Sequence, residues 1–207
     1  MSRMTFSIRL RRRRLLLDGV EKIAVVALFA WLCLRFAGTL QEQPANLIFL
    51  ISECVVALMV LLRRSTDQIS LNPVDWIIGV TGTLLPMLIS PSGGGWAGGA
   101  ILLLAGLIFS LAAKLTLGRS FGVVAANRGV KRGGIYGAVR HPMYLGYFLT
   151  YIGVLLLNPS LWNGALLFAW AVLQIARIHA EERVLMLDPA YRAHAERVRF
   201  RLVPFIY

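Results

Sequence analysis

Two short stretches carry the side chains best suited to chemistry in a chain that is otherwise mostly apolar. One is Arg140-His141-Pro142, which opens the run RHPMYLGYFLTY; the other is RIHAEERVL, residues 177 to 185. Proline biases the residue before it away from the helical region and suits the first turn of a following helix, so the spacing predicts His141 at a helix entrance. The unpaired amides and positive dipole end of such a helix favour an anionic group, for example a carboxylate. Along it, Tyr144, Tyr147 or Phe148, and Tyr151 recur every three to four residues and predict an aromatic stripe. The stripe serves packing or an interfacial belt, or it walls a site if the ligand is a cation. In the second stretch Arg177 and Glu181 share one helical face. An i,i+4 ion pair is the plain reading. Against it, Arg before Glu is the less favourable order, and carboxylates near a helix C-terminus oppose the dipole. That helix is expected to reach about Leu187, before Asp188-Pro189, which leaves the pair at a membrane surface.

Other chemistries lack their residues. The three histidines, His141, His179 and His194, form no HExxH pattern, and no metal site is expected. There is no serine nucleophile elbow, no Walker loop and no GxGxxG. Cys33 and Cys54 read as small buried apolar residues within spans.

The elements that must position these residues follow from composition. Of 207 residues 57% are hydrophobic and 15% charged, and apolar windows fall at about 20 to 40, 47 to 62, 74 to 90, 98 to 117, 143 to 157 and 161 to 180. A spanning helix takes about 20 apolar residues, so the second and fifth windows are short and either tilt, bury or re-enter. The reading is a single membrane domain over 1–207, all-α, a bundle of about five to six transmembrane helices. Net charge is +12. The connections 41 to 46, 91 to 97 and 158 to 160 carry no Lys or Arg, whereas the alternate ones hold Arg9, Arg11 to Arg14, Arg63, Arg64, Lys114, Arg119, Arg128, Lys131, Arg132 and Arg140. This asymmetry puts both termini in the cytosol, at the inner membrane if the host is bacterial. The basic face then meets anionic lipids and not nucleic acid. Arg35 and Glu53, inside the first two spans, pair with each other or Arg35 reaches the outer headgroups. PSGGGWAGG is a flexible outer turn. The longest polar cytosolic insertion, Gly118 to His141, is glycine-rich and basic, and a loop of that length is commonly functional.

LGRSFG, GVKRGGIYGAVRHPMYLG and RIHAEERVL followed by YRAHAERVRFRLVPF resemble the isoprenylcysteine carboxyl methyltransferase and phospholipid methyltransferase superfamily over about residues 115 to 205. The carriers are Arg140, His141, Pro142 and Tyr144, then Glu181 and Glu182. The resemblance implies N-terminal spans over 1–117, a methyltransferase-like catalytic half over 118–207, and S-adenosylmethionine held on the cytosolic side. By motif position it implies cofactor contacts at Arg128, Gly129, Val130, Lys131, Tyr136, His141, Pro142, Met143, Tyr144, Glu181 and Glu182. It implies Glu181 and Arg177 as catalytic residues, with Arg177 facing a lipidic methyl acceptor such as a prenylcysteine carboxylate. GIY stands where GPY is commoner, and His194 where a tyrosine is usual. Membrane sterol reductases share this C-terminal architecture and bind NADPH, but they carry an acidic residue where this chain has Tyr147. A small transporter or assembly protein, with Arg35, Glu53 and Arg177 as intramembrane polar sites, is the non-enzymatic alternative.

Overall fold

A computed structural model describes residues 2–37, 58–90 and 95–207. Within them the chain is helical: α1 (Ser2–Ala37), α2 (Pro73–Leu84), α3 (Gly99–Leu117), α4 (Pro142–Leu157), α5 (Leu161–Leu185) and α6 (Pro189–Arg197), with 3-10 turns at Leu85–Leu88, Gly118–Ser120 and Gly134–Gly137. Residues 58–62 are also helical. No strand forms among the described residues, only an isolated antiparallel bridge between Ile69 and Ala126. Glu53, Cys54 and the side chains of Cys33 and Arg35 lie outside the described residues, as does most of the window at 47 to 62.

α2, α5 and α6 start where the local sequence supplies a side-chain cap. Asn72 accepts the Val74 amide and Pro73 fills the first turn of α2. Ser160 accepts the Asn163 amide and starts α5. The helix expected to end near Leu187 stops at Leu185, because Asp188 does more than terminate it: its side chain accepts the Ala190 amide and caps α6, with Pro189 at the first position. α3 ends at Gly118, whose φ of 52° few other residues adopt.

Small residues hold α3 against α4. A Cβ on Gly106 would lie 2.4 Å from the Thr150 nitrogen, one on Gly146 2.6 Å from the Ser110 nitrogen, and one on Gly153 2.5 Å from the Leu103 nitrogen. The two backbones are therefore nearly in contact along an antiparallel pair, the close approach that small residues allow between helices in lipid. At the end of the bundle remote from Arg140, fully buried Asn163 donates to the Ser90 and Asn158 carbonyls and accepts the Ser90 amide. This ties α2's exit to the α4–α5 turn.

Among the described residues two segments are long and apolar enough to cross a membrane, Gly99–Ser120 and Leu161–Leu185, and Pro142–Leu157 is a shorter apolar helix. Ile101 and Ile108 on α3 and Phe168 on α5 are largely exposed, as lipid-facing side chains are. α2 has 12 residues, and α1 carries Arg11 to Arg14 within its length.

Candidate active site

The insertion from Gly118 to His141 is pinned loop, not free loop. Its first part is tied to residues 64–70: Arg64 donates its amide to the Arg119 carbonyl, and residues 125–127 lie antiparallel to 68–70, with Asn127 donating to Gln68 and Ser70 to Ala125. Thr66 donates to the Asn127 carbonyl, and the Asn127 side chain donates to Asp188 at 2.9 Å. Gly129 and Gly134 take φ values of 105° and 60°, turning the chain where a side chain would strain it. The Arg140 and His141 amides then donate to the Phe200 and Arg201 carbonyls, which fastens the RHP segment to the C-terminal tail. His141 is the residue before α4, and Pro142 opens that helix.

Between this loop, the start of α4, the end of α5 and α6 lies a cleft. Its walls include Arg128, Gly129, Val130 and Lys131 from the loop, Tyr136, His141, Met143 and Tyr144, and Glu181 from α5, with Arg140, Tyr191 and His194. Of the positions that the resemblance marks for a cofactor, Pro142 and Glu182 do not line it. Pro142 is buried beneath the α4 entrance. Burial pushes the Tyr136 and Tyr191 hydroxyls well above the ordinary tyrosine value, reinforced by Glu181 for Tyr136 and Glu182 for Tyr191, so both stay protonated.

The expected pair of Arg177 and Glu181 is not a direct ion pair. Glu181 accepts the Tyr144 hydroxyl and stands 3.9 Å from His141 Nδ1. Arg177 is buried, donates to the Val123 carbonyl at 2.9 Å and lies 5.5 Å over the Tyr144 ring. Tyr144 thus contacts both, its hydroxyl toward Glu181 and its ring face toward Arg177. The aromatic stripe divides accordingly. Tyr144 meets Tyr147 edge-on, and Lys114 sits 5.0 Å over the Tyr147 ring. Phe148 and Tyr151 instead pack on Trp170 at 5.2 and 4.5 Å.

Glu182 is a clasp behind the cleft. Arg201 Nε approaches one of its oxygens at 2.7 Å; Arg140 Nε at 3.0 Å and His141 Nε2 at 3.3 Å meet the other. The double glutamate therefore divides its work: Glu181 faces the cleft, and Glu182 joins the RHP segment to the tail. The carboxylate also holds the Arg201 guanidinium charged, above its usual value.

Sequence reasoning missed a second buried cluster. Asp18 and Glu21 of α1 meet Arg63 and Arg128, with Arg128 2.6 Å from Asp18 and 3.0 Å from Glu21, and Arg63 3.2 and 2.9 Å from the same carboxylates. Glu21 also accepts the Val123 and Val124 amides, both at 2.9 Å. The Arg128 side chain is thereby committed to α1, although its residue borders the cleft. Asp18 and Glu21, one helical turn apart, were the available signal, since they face the same way from the end of a basic stretch.

Together, the fold and the cleft define a helical membrane protein with a polar site built at one end of an apolar bundle. Residues 96–192 match the phospholipid methyltransferase family. This segment, just under half of the chain, is similar to a family of membrane methyltransferases within the isoprenylcysteine and phospholipid methyltransferase superfamily. The matched segment takes in α3 to α5 and both motifs. Comparison with curated proteins returns no match.

Proposed function

We propose that the protein transfers a methyl group from S-adenosylmethionine to a lipidic acceptor at the cytosolic membrane face, a prenylcysteine-like carboxylate foremost. One observation carries this reading: the loop, the RHP segment and Glu181, far apart in sequence, wall one cleft, and Arg177 lies directly behind Tyr144 toward the apolar shaft of α5.

The residues present suit the donor. Glu181 and the rings of Tyr144 and Tyr136 favour a positively charged centre, while Lys131, Arg140 and the α4 entrance favour a carboxylate. Bound there, S-adenosylmethionine supplies an electrophilic methyl carbon, toward which an ionised carboxylate is a nucleophile with no proton to lose. The protein's task is then positioning, which supplies large rate factors without acid-base chemistry. Tyr144, locked by Glu181 and backed by Arg177, forms the partition between donor and acceptor sides. Arg177, with Nε buried and lacking a hydrogen-bond partner among the described residues, retains a donor for an anionic head. The acceptor's tail lies along the bundle among five to six crossing helices. Cytosolic placement of the cleft and both termini rests on the distribution of Lys and Arg, and anionic lipids accompany the basic face.

The test uses detergent-purified full-length protein. Calorimetry should show saturable binding of S-adenosylmethionine and S-adenosylhomocysteine and none of NADPH. Methyl transfer to a prenylcysteine acid should exceed transfer to aminophospholipid vesicles. Binding of NADPH alone would overturn the donor assignment, and preference for the aminophospholipid would overturn the acceptor.

A further inference from the structure

His194 falls in the tail stretch of the resemblance, outside the RHP and double-glutamate motifs, and lies just beyond the matched segment, on α6. It is 3% exposed, and it lines the cleft beside Tyr191, Lys131 and Arg140. Its Nε2 is shut off from water and has no hydrogen-bond partner among the described residues. Buried polar groups without partners are few in native proteins, because each forfeits its hydration and receives nothing in return. A phenylalanine would fill the same space beside Tyr191, whose ring meets His194 edge-on at 6.0 Å, without that cost. The imidazole is therefore an unsatisfied polar group on a residue that lines the cleft.

Its surroundings specify what it can receive. Burial, and then the charges of Arg132, Arg140, Arg197 and His141, hold His194 below the ordinary histidine value, so near neutral pH it carries no charge. A neutral imidazole presents one N–H donor and one acceptor nitrogen, and a hydroxyl or amino group can answer either. A carboxylate is already served by the cations around it.

We propose that His194 is a ligand-contacting residue, whose Nε2 hydrogen-bonds a hydroxyl or amino group on the nucleoside part of the molecule bound in the cleft. The proposal rests on the reading of the cleft as the methyl-donor site and adds a contact that the motifs do not supply. It separates the cleft's two recognition tasks. Glu181 and the aromatic wall answer a positive centre, and His194 answers a neutral polar edge.

The experiment compares wild type, His194→Phe and His194→Gln as full-length protein in detergent. Calorimetry measures S-adenosylhomocysteine, and adenosine is then titrated as its competitor. The Phe variant should bind S-adenosylhomocysteine and adenosine about 10- to 100-fold more weakly. The Gln variant, whose amide nitrogen reaches the position of Nε2, should recover most of that loss. Unliganded His194→Phe should melt no lower than wild type, because it removes an unpartnered buried nitrogen, whereas a purely structural histidine would lower stability and affinity together. Wild-type affinity in a folded Phe variant overturns the contact and leaves the donor reading standing. A loss for S-adenosylhomocysteine without one for adenosine overturns its assignment to the nucleoside. Failure of wild type to bind S-adenosylhomocysteine overturns both the donor reading and this contact.

Discussion

Glu181 and Arg177 make different contacts and should fail differently. Glu181 meets the cleft and fixes Tyr144, so Glu181→Gln should weaken S-adenosylhomocysteine binding by about 10- to 100-fold, the range for a hydrogen bond to a charged group, as read by calorimetry. Arg177 lies on the far side of Tyr144. Arg177→Lys keeps the charge but loses the planar fork over the ring, and it should lower acceptor turnover by roughly 100-fold while donor affinity changes little. A parallel loss of both would place Arg177 among the donor contacts. His194 provides the pH dependence. Its folded value lies below the 6.5 of the free side chain, so the unfolded chain takes up its proton first. The resulting stability is complete above about pH 6.5 and is lost as pH falls through the folded value. Melting temperatures from pH 8 to 5 should fall on the acid side, and His194→Phe should flatten that fall.

The element most exposed to single substitutions is the α3–α4 pair. Gly146 and Gly106 face mainly the backbone of the other helix, with the Ser110 Cβ and Thr150 Oγ1 beside it, so an added Cβ meets little that can move aside. Gly146→Ala should destabilise the protein by about 1–3 kcal/mol, whereas Gly164→Ala, with nothing within 4 Å of its added Cβ, should be tolerated. Thermal unfolding in detergent compares the two. The helices themselves were readable from sequence: the windows at 98 to 117, 143 to 157 and 161 to 180 correspond to α3, α4 and α5, and Pro142 opens α4 as its type requires. Their partner choice was not. Glycines read as helix weakeners in a sequence, and only the pairing reveals them as the contact.

For the molecule as a whole, the division into N-terminal spans and a catalytic half is crossed by the buried cluster. Asp18 and Glu21 hold Arg128 and the Val123–Val124 amides, and the Val123 carbonyl in turn holds Arg177. One carboxylate of α1 thus supports both the cleft loop and the arginine behind it. Glu21→Ala leaves Arg63 and Arg128 with one carboxylate between them and should cost about 3–5 kcal/mol, the usual penalty for breaking a buried ion pair. Proteolysis of the 118–141 loop should accelerate with it. Intact stability and a protected loop in Glu21→Ala would show that α1 is not required to hold the cleft.

The sequence by itself determined what local chemistry and solvent preference determine. Apolar runs demanded helices, Asn72, Ser160 and Pro142 placed their starts, and the RHP and double-glutamate motifs named the polar end. Tertiary structure alone decided how the ionic groups divide. Glu181 and Glu182 are adjacent and chemically alike, yet one faces a cleft and the other an arginine clasp. Arg128 sits in the cleft strip, yet its guanidinium belongs to α1. The physical reason is that a buried charge is governed by whichever counter-charge packs against it, and those partners lie tens of residues away, beyond the reach of spacing or propensity.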